Sequence, residues 1–145
     1  MIRKYEKTDI EDVMNIWYNA TELAHPFLQD TFVEKVKRDM RELYLPNALT
    51  WVYEEDLKVI GFISMLENEI AGLFVIPDEH ARGIGTALVN HVGRTHEFLE
   101  VEVFEKNEIG RAFYNKYGFS PYRESIHDAT QQNVLRLKCT APKHV

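Results

Sequence analysis

The chain has 145 residues, 45% hydrophobic and 28% charged, which fits one soluble globular domain over residues 1–145 with its own core. Its net charge of −6 excludes a broad nucleic-acid footprint and suits a cationic or amine-bearing substrate. The single cysteine, Cys139, excludes an internal disulfide and a multi-cysteine metal site; no apolar run is long enough to span a bilayer and no signal core follows Met1, so no membrane association and a cytoplasmic location are expected.

Ile2 to Tyr5 reads as a short first strand. Thr8-x-x-Glu11 is a capping-box pattern, and Ile10, Val13, Met14 and Trp17 recur at helical spacing, so an amphipathic helix is expected over Asp9 to Leu23. His25-Pro26 breaks it, because the residue before proline avoids the helical region. Thr31-x-x-Glu34 is a second capping box. It opens a helix with Phe32, Val36, Met40, Leu43 and Tyr44 on its apolar face and mixed charges on a solvated one; Leu45-Pro46-Asn47 ends it.

Thr50–Tyr53, Val59–Met65 and Ile70–Ile76 are apolar strands joined by short polar turns, an antiparallel meander, with Gly61 a candidate bulge. A helix from Gly85 to Arg94 leads to a strand at Phe98–Phe104, which after this crossover should lie parallel to the strand ending at Ile76. Asn107 or Glu108 caps a short helix through Lys116, and Gly118 closes it. Strands from Phe119 and over Asn133–Lys138 follow, then a frayed tail over Ala141 to Val145. This order makes an α+β, three-layer mixed-sheet domain, without internal repeat, low-complexity run or linker.

The chain is organised around Leu73 to Val89: an apolar strand, a stop at Pro77, a polar loop and a glycine-bearing helix start. Gly83 and Gly85 let a ligand approach the backbone, and the amides of Arg82 to Thr86 lie at the positive end of a helix, a site for phosphate or diphosphate. A plain glycine-containing turn is the other reading. A P-loop fails because Thr86-Ala87 follows Gly85, and a dinucleotide fingerprint fails because Leu88 stands at the third glycine position.

His80-Ala81-Arg82-Gly83-Ile84-Gly85 resembles the diphosphate loop of the GCN5-related N-acetyltransferases, the GNAT family, whose pattern is Gln/Arg-x-x-Gly-x-Gly/Ala. His80 departs from it, weakening a side-chain contact but not the amide cradle. Val101-x-Val103, Asn107, Gly110 (where the family usually has Ala), Phe113-Tyr114 and Gly118-Phe119 resemble the family's second signature. Val103 follows Gly85 by 18 residues, in the expected order, and the resemblance covers nearly the whole chain.

The resemblance implies a three-layer αβα fold with a mixed, mostly antiparallel six- to seven-stranded sheet. A V-shaped splay would separate the two central parallel strands, Leu73–Val75 from Val101–Val103. It implies acetyl-CoA as co-substrate, with pantetheine along the free backbone of Leu73, Phe74 and Val75. The amides of Ala81, Arg82, Gly83, Ile84, Gly85 and Thr86 would hold the diphosphate. Asn107 would hold pantetheine from the other side, as well as or instead of serving as a helix cap.

The implied reaction is direct attack of a primary amine in a ternary complex, with Tyr114 as acid; a core aromatic is its other reading. Glu102 points to the sheet face opposite Val101 and Val103 and precedes Tyr114 by 12 residues. That spacing resembles family members that acetylate protein N-terminal alanines, with Glu102 as base; a solvent-facing strand Glu is the alternative. Glu69 and Glu67, acting through water, are other candidate bases, and Glu100 lies further off. His25-x-Phe27-Leu28 resembles a small bacterial subgroup, which makes His25 and Phe27 candidate substrate contacts and His25 a candidate relay; a helix-terminal His bonding backbone is the plainer reading.

Trp51, Tyr53 and Tyr44 are candidates for an acceptor pocket or for the core. His91 and His96 lack the spacing of a helical metal pair, and no metal is expected. The acceptor stays open among a protein lysine, a protein N-terminus and a small amine, and the chain between monomer and homodimer. A CoA-binding sensor without catalysis, or an interaction module without ligand, are the alternatives to an enzyme.

Overall fold

A computed structural model of the chain describes residues 1–140 and Pro142; the expected tail, apart from Pro142, lies outside the described residues. Its seven strands form one sheet in the order β1-β2-β3-β4-β5-β7-β6. They are β1 (Ile2–Lys4), β2 (Leu49–Glu55), β3 (Lys58–Leu66), β4 (Glu69–Val75), β5 (Leu99–Phe104), β6 (Ser120–Ile126) and β7 (Asn133–Cys139). β2, β3 and β4 are the expected antiparallel meander, and β4 pairs parallel to β5 across the crossover. Among the described residues, no helix is long and apolar enough to cross a membrane.

The helices cover both faces. On one, α1 (Ile10–Ala24) places Val13, Ile16 and Trp17 against Val52 and the fully buried Phe62. On the other, α4 (Ile84–Gly93) and α5 (Glu108–Tyr117) place Leu88, Val89 and Tyr114 against Ile63, Val101 and Val103. Phe62 and Ile63 are neighbours on β3 and face opposite layers, as strand alternation requires. Full burial of a side chain such as Phe62 contributes about 2–3 kcal/mol.

Both expected capping boxes are absent. Asp9, not Thr8, organises the first helical turn. Its carboxylate accepts from Arg3 through Nη1 and Nη2, each at 2.9 Å, and from the Glu6 amide at 2.8 Å. The turn over Lys7–Asp9 begins after Glu6, so Thr8 lies inside it rather than at a cap. α2 (Asp30–Asp39) is capped by Gln29 without a side-chain bond, the Phe32 and Val33 amides turning to the Gln29 carbonyl instead.

The apolar face of that segment also departs from expectation. A π turn over Met40–Tyr44 leads into α3 (Leu45–Asn47), leaving Leu43 and Tyr44 exposed while Met40 and Leu45 are buried. The wider turn lies just ahead of Pro46, whose ring would crowd a regular helix. Beside Gly61, Tyr53 pairs with Gly61 but Glu54 with Val59, so the irregularity falls at Ile60. A second irregularity sets Ser64 against Gly72 and Met65 against Ile70, passing over Ala71.

Asp9 is only 7% exposed, and the Arg3 bonds hold its carboxyl below the usual carboxylate range. Asp9→Ala should therefore lower stability by about 2–3 kcal/mol in urea unfolding at neutral pH. Because the folded pKa is lowered, this contribution is present above the ordinary Asp value and is lost as pH falls through the folded one.

Candidate active site

The site starts from a break in the sheet. β4 and β5 pair only at Glu69–Glu100 and Ile70–Val101. The irregularity at Ala71 comes at this point, and bulges bend the strand that carries them. Leu73, Phe74 and Val75 continue along β3 without a partner on the β5 side, while Val103 and Phe104 pair with β7. The two central strands thus diverge into the expected splay.

A cavity of about 560 Å³ opens there. Leu73, Phe74 and Val75 form one wall. Ala81, Gly83, Ile84, Gly85 and Thr86 form the floor. Asn107 and Tyr114 line the α5 side, and His25 the end of α1. Of the other site residues expected from sequence, Arg82, Glu102 and Phe27 do not line it.

Pro77 does end β4, in a turn over Pro77–Glu79. His80 then reaches back, Nε2 lying 2.9 Å from the Val75 carbonyl, so this nitrogen carries the proton. Ala81 and Gly83 both adopt left-handed backbone, at φ 69° and 82°. Such alternation around Arg82 turns successive amides to one side, the concavity that binds anions. The amides of Ile84, Gly85 and Thr86 open α4 and have no intrahelical acceptor.

The two glycines serve different ends, which the sequence did not separate. Nothing lies within 4 Å of where a Gly83 Cβ would stand, so that side is open to a ligand. A Gly85 Cβ would stand 3.1 Å from Phe113 Cε1, so Gly85 serves the close approach of α4 and α5. The Arg82 side chain turns away to Glu55, at 2.9 Å, and to Glu79, leaving only its amide in the loop.

Tyr114 is 7% exposed, and burial pushes its phenol pKa up, so the hydroxyl keeps its proton at neutral pH. It also packs edge-on against Phe113 and Phe119, so it is a core aromatic and a cavity residue at once. Glu102 projects from the opposite sheet face to the buried Val101 and Val103, beside its cross-strand partner Arg136. Arg136 Nη1 lies 3.5 Å from Glu102 and 3.3 Å from Glu69. Its Nε donates to the Tyr122 hydroxyl at 3.2 Å, and that hydroxyl donates to Glu100.

Asn107 caps α5, its Oδ1 accepting from the Gly110 amide at 2.8 Å. Its Nδ2 lies 3.1 Å from His25 Nε2. The plainer sequence reading, a His bonding backbone, thus gives way to a side-chain contact. The His25 ring also meets Phe27 and Phe104 edge-on, and Phe104 in turn meets His127. Trp51 and Tyr53 pack against the α4 side of the core, Trp51 against His91, and Tyr44 is exposed; none lines the cavity.

The family model for the acetyltransferase (GNAT) domain matches residues 46–121. Peptidyl-lysine N-acetyltransferase YiaC of Escherichia coli (strain K12) is 36% identical over 132 residues, 90% of each chain. The chain belongs to the GNAT acetyltransferases. The solution structure of apo-form YjaB from Escherichia coli superposes with a TM-score of 0.85 at 28% identity, covering 95% of each chain. The PaiA N-acetyltransferase of Thermoplasma acidophilum, solved in complex with coenzyme A, shares the fold with a TM-score of 0.74 at 18% identity, over 94% of this chain and 96% of that one.

This GNAT protein is an acetyl-CoA-dependent N-acetyltransferase. Its splay fits the co-substrate: free β4 backbone suits amide groups of an extended arm, and the open side of Gly83 with the bare α4 amides suits a diphosphate. Cavity walls at Ala20, Ala24, Ile109, Lys116 and Tyr117 were not singled out from sequence. Phe104 had a signal, since it alternates with Glu102 on one strand face.

Loss of solvent around His25 lowers its pKa from 6.5 to about 4, and His91 is lowered in the same direction by burial. The unfolded chain takes up these protons first as pH falls. Stability should therefore drop between about pH 6.5 and pH 4, and His25→Gln should reduce that drop. Urea midpoints at the two ends of this window measure it.

Proposed function

We propose that the acceptor is the side-chain amine of a protein lysine. Supporting this is the similarity to YiaC, a peptidyl-lysine N-acetyltransferase, over 90% of both chains. The approach to Glu102 is also rich in carboxylates, with Glu69, Glu100 and Glu102 around one Arg136, which suits a cation. The 12-residue spacing of Glu102 and Tyr114 favours a second reading, a protein N-terminus.

In this proposal Leu73, Phe74, Val75, Asn107 and the amides of Ala81 to Thr86 hold acetyl-CoA. When bound, it supplies an activated acyl thioester to a neutral amine. Glu102 takes the proton of the acceptor ammonium, and Tyr114 Oη holds the proton that the departing sulfur needs. Burial keeps Tyr114 protonated, so it serves as donor rather than base. Exposure keeps Glu102 within reach of an acceptor arriving from the α1 side of the sheet. These roles need no metal.

The test is mass spectrometry of two peptides after incubation with acetyl-CoA. One has a blocked N-terminus and a lysine; the other has a free N-terminus and no lysine. Acetyl transfer to the lysine alone is expected, and transfer to the N-terminus alone would overturn the assignment. Tyr114→Phe should lower kcat about 100-fold while leaving acetyl-CoA affinity within about twofold, by calorimetry. Glu102→Gln should lower the rate most at neutral pH and recover near pH ~10, where lysine deprotonates unaided. A loss equal at all pH values would make Glu102 a binding residue instead.

A further inference from the structure

The expectation for His25 was a substrate contact or proton relay, yet its ring nitrogen is directed at Asn107. The polarity of that contact can be assigned. Asn107 Oδ1 is committed to the Gly110 amide, so its Nδ2 is the donor end. His25 Nε2 must then accept, which makes the ring neutral with its proton on Nδ1. The low His25 pKa agrees with a ring that stays neutral at physiological pH.

Nδ2 carries two protons, and His25 takes one. The space beside Nδ2 is kept open by Gly110. A Cβ there would stand 2.5 Å from Nδ2 and 3.0 Å from Asn107 Cγ, too close for the amide to keep this orientation. Asn107, Gly110 and His25 all line the splay cavity. An alanine, usual here by resemblance to the family, would force the amide out of this orientation. Gly110 thus has a use beyond merely being small enough to fit.

We propose that His25 is a positioning residue for the co-substrate: through its bond to Asn107 it holds the carboxamide so that the second N–H meets a carbonyl of the pantetheine arm. This rests on acetyl-CoA occupying the splay. His25 neither contacts the acceptor nor relays a proton in this arrangement. Its edge-on contacts with Phe27 and Phe104 fix the ring plane, and its bond to Asn107 joins the end of α1 to the start of the helix that bears Tyr114.

The test uses wild type, His25→Gln and His25→Phe, each titrated with CoA by calorimetry, together with nitrogen-15 NMR of the histidine rings. A glutamine Oε1 can accept from Asn107, whereas phenylalanine cannot. Wild type should show His25 protonated on Nδ1 at neutral pH. His25→Gln should bind CoA within about threefold of wild type, and His25→Phe at least tenfold more weakly, with no further loss on adding Asn107→Ala. Equal CoA binding by His25→Phe, or an Nε2–H tautomer in wild type, would overturn the proposal. Absence of CoA binding by wild type would overturn the occupancy reading beneath it as well, so the two failures are distinct.

Discussion

The rest of the molecule depends on the early end of pairing between β4 and β5. Two registered pairs hold the strands together, and past Ile70 and Val101 they part. Backbone polar groups rarely stay unpaired inside a protein, and Leu73 to Val75 border a cavity rather than a strand. An extended ligand with its own amides can satisfy that edge. The break therefore opens the cavity, which Tyr114 lines; Glu102 lies on the other sheet face, outside the cavity lining.

The two faces supply different environments. Tyr114 sits among Phe113, Phe119 and the α4 core, where loss of solvent disfavours the phenolate. Glu102 sits on the more open face, in a polar group with Arg136, Glu69, Tyr122 and Glu100. Burial thus leaves Tyr114 a neutral proton donor, while Glu102 stands beside the Arg136 guanidinium on the other face. Between them, α5 acts as the reference. Its first turn is fixed by Asn107 and its end by Gly118 at φ 124°, so Tyr114 has little freedom to wander.

What the sequence showed, and what it hid, follow the range of the interactions. Pro77, Gly83, Asn107 and Gly118 act on their own backbone, and their positions could be read directly. The parallel crossover and the meander followed from strand and helix order. The capping patterns at Thr8 and Thr31 do not form because each helical segment starts earlier, at the turn after Glu6 and at Gln29, which leaves both threonines inside the first turn. The π turn before Pro46 rotated an apolar face that regular periodicity places elsewhere. Gly85 looked like a ligand-facing glycine but answers to Phe113 on another helix. The His25–Asn107 bond joins residues 82 positions apart, so no spacing rule announces it. Gly110 was visible as a departure from the family, but its consequence needed the side chain of Asn107 in place.

Acetyl-CoA is expected to complete the open edge of β4. The most direct measurement is amide hydrogen exchange by NMR, with and without saturating CoA. Saturable shifts from Ala81 to Thr86 and new protection within Leu73 to Val75, localised to the splay, are expected. Saturable binding that leaves those amides unprotected and perturbs another surface would contradict it.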